Sequence, residues 1–248
     1  MKKLFIIALL SFNLLHAQTV TIALAANVSY AMDELKSTFC KDHPDTTLRV
    51  IIGGSGKLTA QIKNGAPYDI FISANMHYPE ALYKEKVAIT QPKIYAQGAL
   101  AILSQRDQDL TQGIAIVTNK QIRRIAMANP KTAPYGQATL EALKNAKLYS
   151  KIKSKLIYGE SISQTVTYAM TAADIGFIAK SALFSSKMRQ FKKDKNWIEV
   201  NPKLYTPIAQ GIVILQHAKS NRAAKAFYDF ILSPKAKAIF KRYGYTVS

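Results

Sequence analysis

From Val20 onward the chain alternates short apolar runs with longer amphipathic segments, and this alternation narrows the fold more than any other feature. Residues 20–24 read as a buried strand and residues 28–42 as a helix. A second strand is predicted at 48–52, a helix at 55–64 with Leu58 and Ile62 on one face, and a third strand at 69–73. Gly65 stands where a helix ending in the left-handed conformation needs a glycine. Strand, helix, strand in this order gives a largely parallel sheet covered by helices.

The pattern then repeats. Residues 99–103, 124–128, 155–158 and 175–179 read as strands, with helices at 135–146 and from about residue 162. The polar stretch 187–196 reads as a surface loop, 207–215 as a late strand, and 222–232 and 234–243 as closing helices. Ala223, Phe227, Phe230 and Ile231 share one helical face. Two successive α/β units and a helical return imply two lobes: 18–97 with 207–248, and 98–206.

The first seventeen residues have the order of a secretory signal. Lys2 and Lys3 precede an apolar stretch from Leu4 to Leu15, and Ala17 offers a cleavage point before Gln18. Export to the periplasm and a soluble mature chain are the expectation. The single cysteine, Cys40, has no partner for a disulfide, lies beside a predicted helical stripe and reads as an inert buried thiol. The formal net charge is +19, but the lysines are dispersed from Lys36 to Lys241 rather than gathered among aromatics. That argues against nucleic acid, while a diffuse positive field raises the local concentration of small anions.

No enzyme class emerges. His43, His77 and His217 are scattered without metal-ligand spacing, no G-x-S-x-G elbow occurs, and Ser150-x-x-Lys153 lacks companion motifs. Gly53-Gly54-Ser55-Gly56-Lys57 departs from a phosphate loop, because Ile51 and Leu58 occupy positions that the pattern reserves for Gly and Ser or Thr.

Four strand-to-helix junctions remain. Ala25-Ala26-Asn27 ends the first strand, with Asn27 as candidate N-cap. Gly53 to Gly56 ends the second, with Ser55 opening its helix. Asn129-Pro130 leads to Pro134-Tyr135-Gly136, and Ser161-Ile162-Ser163-Gln164 forms an S-x-x-Q capping box. A helix start leaves N–H groups unpaired and carries partial positive charge, which suits an anion. Such junctions lie at the carboxyl ends of strands, where α/β proteins bind ligands. Any one of them is an ordinary cap; four, two per lobe, point to a shared cleft.

At these residues the chain resembles the periplasmic molybdate-binding proteins of ABC importers. The resemblance runs through Ala25-Ala26-Asn27, Gly53-Gly54-Ser55-Gly56-Lys57-Leu58, residues 61–67 and 69–74, Asn129-Pro130, residues 133–136, Gly176-Phe177 and residues 240–245. It implies a two-lobed, type II periplasmic binding protein of α/β class, each lobe a mixed, mostly parallel sheet flanked by helices, with the ligand in the cleft. It further implies oxyanion contacts from Asn27, Ser55, Tyr135 and Ile162, with molybdenum or tungsten held only as its oxyanion. No cofactor is implied. The partners are the oxyanion and a membrane permease, and the chain is expected to act as a monomer. Many members have serine in place of Asn27 and a ligand tyrosine where this chain has Ala179; a branch pairs asparagine with a tyrosine at position 135. A fully ionised dianion needs donors only, whereas phosphate must also find an acceptor for its proton. The junctions contain no carboxylate, though Glu160 directly precedes Ser161. The alternative ligand is sulfate or another tetrahedral oxyanion.

Overall fold

A computed structural model describes residues 18–247; the segment read as a signal, 1–17, lies outside them. The chain opens with β1 (Gln18–Ala25), α1 (Ser29–Asp42), β2 (Thr46–Gly53), α2 (Ser55–Lys63), β3 (Ile70–Ile72), α3 (His77–Lys84) and β4 (Lys93–Gly98). It continues through β5 (Leu100–Leu103), β6 (Ile125–Ala128), α4 (Pro134–Asn145), α5 (Tyr149–Ile152), β7 (Leu156–Gly159), α6 (Ile162–Thr171), β8 (Ile175–Ala179) and β9 (Trp197–Glu199). Last come β10 (Ile208–Ile214), α7 (Arg222–Ile231) and α8 (Pro234–Arg242).

The strands form two five-stranded sheets, ordered β2-β1-β3-β10-β4 and β7-β6-β8-β5-β9. β1 pairs in parallel with β2 and β3, and β6 with β7 and β8. β10 runs antiparallel to β3 and β4, as β5 does to β8 and β9. Each sheet therefore has four strands in one direction and one reversed, the same plan twice. The chain leaves the first sheet between Gly98 and Leu100 and returns between Glu199 and Ile208. β4, β9, α3 and α5 were not anticipated, because each is short or carries its apolar residues without clear period.

Fully buried strands explain the continuous apolar runs: β3, β5, β6 and β8 have no exposed residue. On the first sheet, α1, α7 and α8 close a core around Phe39, Phe227 and Phe240. Phe39 and Phe227 meet edge to face at 5.0 Å between centroids, a favoured aromatic geometry. Ala223, Phe227 and Ile231 of α7 are buried as their spacing requires, while Phe230 is only partly covered. Helix α2 ends in a Schellman motif: Ala66 N donates to Gln61 O and Gly65 N to Ile62 O, both at 3.0 Å, with Gly65 at φ +83°.

A Cβ built on Gly65 meets nothing within 4 Å, so a substitution there is opposed by backbone strain alone. Gly65→Ala is expected to lower stability by about 1 kcal/mol, read as a lower urea midpoint with an unchanged slope.

Candidate oxyanion-binding site

The carboxyl ends of β1, β2, β6 and β7 face each other across the gap between the sheets. The helix starts that follow them enclose a small cavity lined by Ala25, Ala26, Asn27, Gly53, Gly54, Ser55, Ala74, Ala133, Pro134, Tyr135 and Ile162. Its interior volume is only about 10 Å³, far below the roughly 300–1,000 Å³ typical of organic-ligand pockets. The structure thus brings all four residues singled out from the sequence to one cavity. Among the described residues no charged side chain lines it. Glu160 faces the neighbouring groove instead, with its carboxylate 3.7 Å from Lys57 Nζ and both side chains largely exposed.

Three of the four residues stand in the first turn of a helix, where an N–H has no intrahelical acceptor. Ser55 is the first residue of α2, Tyr135 the second of α4 after Pro134, and Ile162 the first of α6. None of their N–H groups donates to another part of the described chain. Pro134 has no N–H of its own, so the first free donor of α4 belongs to Tyr135. Ser55 adds a side-chain donor: its Oγ accepts from Ala74 N at 3.0 Å, leaving the hydroxyl hydrogen without an acceptor among the described residues. The S-x-x-Q box is present at α6, where Ser161 Oγ accepts from Gln164 N at 3.2 Å. Gln164 Oε1 reaches back to Glu160 N at 2.7 Å, one residue earlier than the usual reciprocal bond.

Asn27 does not cap a helix, contrary to what its place after the first strand predicts. It lies inside a 3₁₀ turn, Ala26–Val28, that runs directly into α1, and its side chain makes no cap bond. The carboxamide is engaged in tertiary contacts instead. Nδ2 donates to Gln210 Oε1 at 2.8 Å and to Tyr245 Oη at 2.9 Å, while Oδ1, fully buried, has no partner among the described residues. Around it lies a hydroxyl and amide cluster that sequence reading missed. Tyr95 Oη donates to Gln210 Oε1 at 2.6 Å, Gln210 Nε2 donates to Tyr135 Oη at 3.1 Å, and Tyr245 Oη donates to Asn27 O at 2.8 Å. Burial holds the hydroxyls of Tyr95, Tyr135 and Tyr245 well above their ordinary ionisation range, so all three stay neutral.

The two lobes touch around the cavity through directed bonds. Gly56 N donates to Thr132 O at 3.0 Å, Ser163 Oγ to Ala26 O at 3.0 Å, and Ser181 Oγ to Asn27 O at 2.9 Å. A Cβ on Gly56 would lie 2.8 Å from Thr132 O, so this approach requires glycine. A Cβ on Gly98 would overlap the Tyr135 hydroxyl.

Two outcomes test these contacts. Ser161→Ala removes the only side-chain cap of α6 and is expected to cost about 1 kcal/mol in chemical denaturation. Gly98→Ala overfills the space beside Tyr135 and is expected to cost roughly 1–3 kcal/mol, with an altered near-ultraviolet tyrosine signal.

Comparison with known proteins agrees with the two-sheet fold. Residues 20–246 match the family described as bacterial extracellular solute-binding protein. The chain is 36% identical over 233 residues to a molybdate-binding protein of Azotobacter vinelandii, covering 92% of this chain and 90% of that one. A molybdate-binding protein of Rhodobacter capsulatus is 33% identical over 231 residues, covering 92% and 88%. The solved structure of an Azotobacter vinelandii periplasmic molybdate-binding protein superimposes with a TM-score of 0.85 at 29% identity, covering 92% of this chain and 99% of that one. A sulfate-binding protein of Mycobacterium tuberculosis, at 12% identity and TM-score 0.73, shares the fold. With nearly its whole length matched, the chain belongs to the bacterial extracellular solute-binding proteins.

Proposed function

We propose that the protein captures molybdate or tungstate outside the cytoplasm and delivers it, chemically unchanged, to the permease of an ABC importer. The observation that carries this reading is the convergence of three helix starts with free N–H groups on one small cavity that no charged side chain lines. Such a cavity offers backbone amide and hydroxyl donors to a tetrahedral dianion with no opposing charge, and each charge-assisted bond is about twice as strong as a neutral one. Asn27 and Ser55 hold the anion from the first lobe, Tyr135 and Ile162 from the second.

The hinge lies at the two crossings between the sheets, close to the boundaries at 97–98 and 206–207. Opening about it breaks the bonds of Gly56, Ser163 and Ser181 and exposes the four contacts. The protein works as a monomer and has no nucleic-acid role. Similarity to molybdate-binding relatives favours molybdate over sulfate, and the absence of a lining carboxylate among the described residues disfavours phosphate.

Thermal unfolding of the mature protein with molybdate, tungstate, sulfate and phosphate tests this. A ligand at 1,000 times its Kd is expected to stabilise by about 4 kcal/mol, with molybdate and tungstate giving the largest shifts. A response to sulfate alone moves the substrate; no response to any oxyanion overturns the reading. Ser55→Leu is expected to abolish the shift while the unliganded protein stays folded, its stability lowered by about 1–3 kcal/mol because Ala74 N loses its acceptor.

A further inference from the structure

Asn27 Oδ1 is the one buried side-chain polar atom without a partner among the described residues, and its residue lines the cavity. An unpaired acceptor at the wall of a site built for a dianion is repulsive, and a buried orphan is costly in itself. The two ends of a carboxamide are nearly identical in shape, so hydrogen bonding alone decides which end faces the cavity. Asn27 cannot turn its Nδ2 to the anion by itself, because Oδ1 would then confront Gln210 Oε1, another acceptor.

We propose that Gln210 is a positioning residue, and that its carboxamide reverses together with that of Asn27 when the oxyanion binds. The inference rests on Asn27 belonging to the anion site. After the paired reversal, Gln210 Nε2 donates to both Asn27 Oδ1 and Tyr95 Oη, while Gln210 Oε1 accepts from the Tyr135 hydroxyl. Tyr95 retains an acceptor, since its hydroxyl already reaches Ser73 O at 3.2 Å. Ser181 keeps Asn27 O satisfied, which releases the Tyr245 hydrogen for Asn27 Oδ1. Every donor and acceptor of the cluster is then paired, and Asn27 Nδ2 faces the anion. Tyr135 gives its backbone N–H to the anion and its hydroxyl to Gln210. Glycine at 98 keeps open the space in which the Tyr135 hydroxyl meets Gln210.

The groups facing Gln210 are Tyr95 from β4, Tyr135 from α4 and Asn27 from the turn after β1, with Tyr245 behind Asn27. None of them is charged, so the parent protein should bind molybdate with little pH dependence arising at this cluster. Gln210→Glu changes that. An ionised carboxylate only accepts and holds Asn27 Nδ2 away from the anion, whereas a protonated one donates once and reproduces the reversed arrangement. Calorimetric titration with molybdate over about pH 5.5–8 is expected to show a loss of affinity of about a hundredfold at the alkaline end for Gln210→Glu. At least about tenfold should return on acidification, relative to the parent. Gln210→Met is expected to lose about tenfold at every pH.

If Ser55→Leu abolishes binding while both Gln210 variants titrate like the parent, the positioning role is wrong and the site stands. If Ser55→Leu still binds, the site itself is wrong. A measurement on the unaltered protein holds even where a variant fails to fold. In ¹⁵N-labelled protein the side-chain amide signals of Asn27 and of Gln210 should both move on saturation with molybdate, although Gln210 does not line the cavity. A stationary Gln210 pair overturns the proposal.

Discussion

Backbone amides that their own helices cannot satisfy are the constraint around which the rest of the molecule is arranged. Leaving a buried N–H unpaired costs about 1–3 kcal/mol, and here the first turns of α2, α4 and α6 place such groups on one cavity. A fold with water at these ends would dissipate the donors singly. Two sheets of identical plan, set with their strand ends facing, concentrate them. The absence of any charged side chain on the wall leaves the net polarity of the cavity to the amides, the Ser55 hydroxyl and the Asn27 carboxamide.

Contact between the lobes is held by modest forces. A few hydrogen bonds, from Gly56, Ser163 and Ser181, are worth about 1 kcal/mol each at most sites. The exposed Lys57–Glu160 pair adds little, since solvent screens it. Tyr30 of α1 packs against the apolar cluster of the second lobe around Leu103 and Ile178. Ala25, Ala26 and Ala74 of the first lobe also join the apolar cluster of the second, and Gln210 Nε2 bonds the Tyr135 hydroxyl across the gap.

Much of this was readable from local pattern. The long helices and buried strands followed from apolar period, Gly65 from the need for a left-handed stop, and Ser161 from its box with Gln164. Asn27 shows where local reading fails. Its place before a helix suggested a cap, yet the 3₁₀ turn at Ala26–Val28 joins the helix without a break, and its amide is drawn to partners far along the chain. Short strands such as β4 and β9 also escaped notice, because their pairing is set by neighbours and not by their own residues.

By itself the sequence determined the longer helices, the buried strands and the helix starts at Ser55, Pro134 and Ile162, since these depend on periodicity and capping within a few residues. It also carried the resemblance that names the ligand class. Tertiary structure alone decided that the starts share one cavity, that Glu160 stays out of it, and that Gln210, Tyr95 and Tyr245 stand behind Asn27. Gln210 lies 183 residues from Asn27 and Tyr245 lies 218 from it. No local spacing encodes such a meeting; it follows only once β10 is placed beside β3 and the C-terminal segment has folded back onto the first sheet.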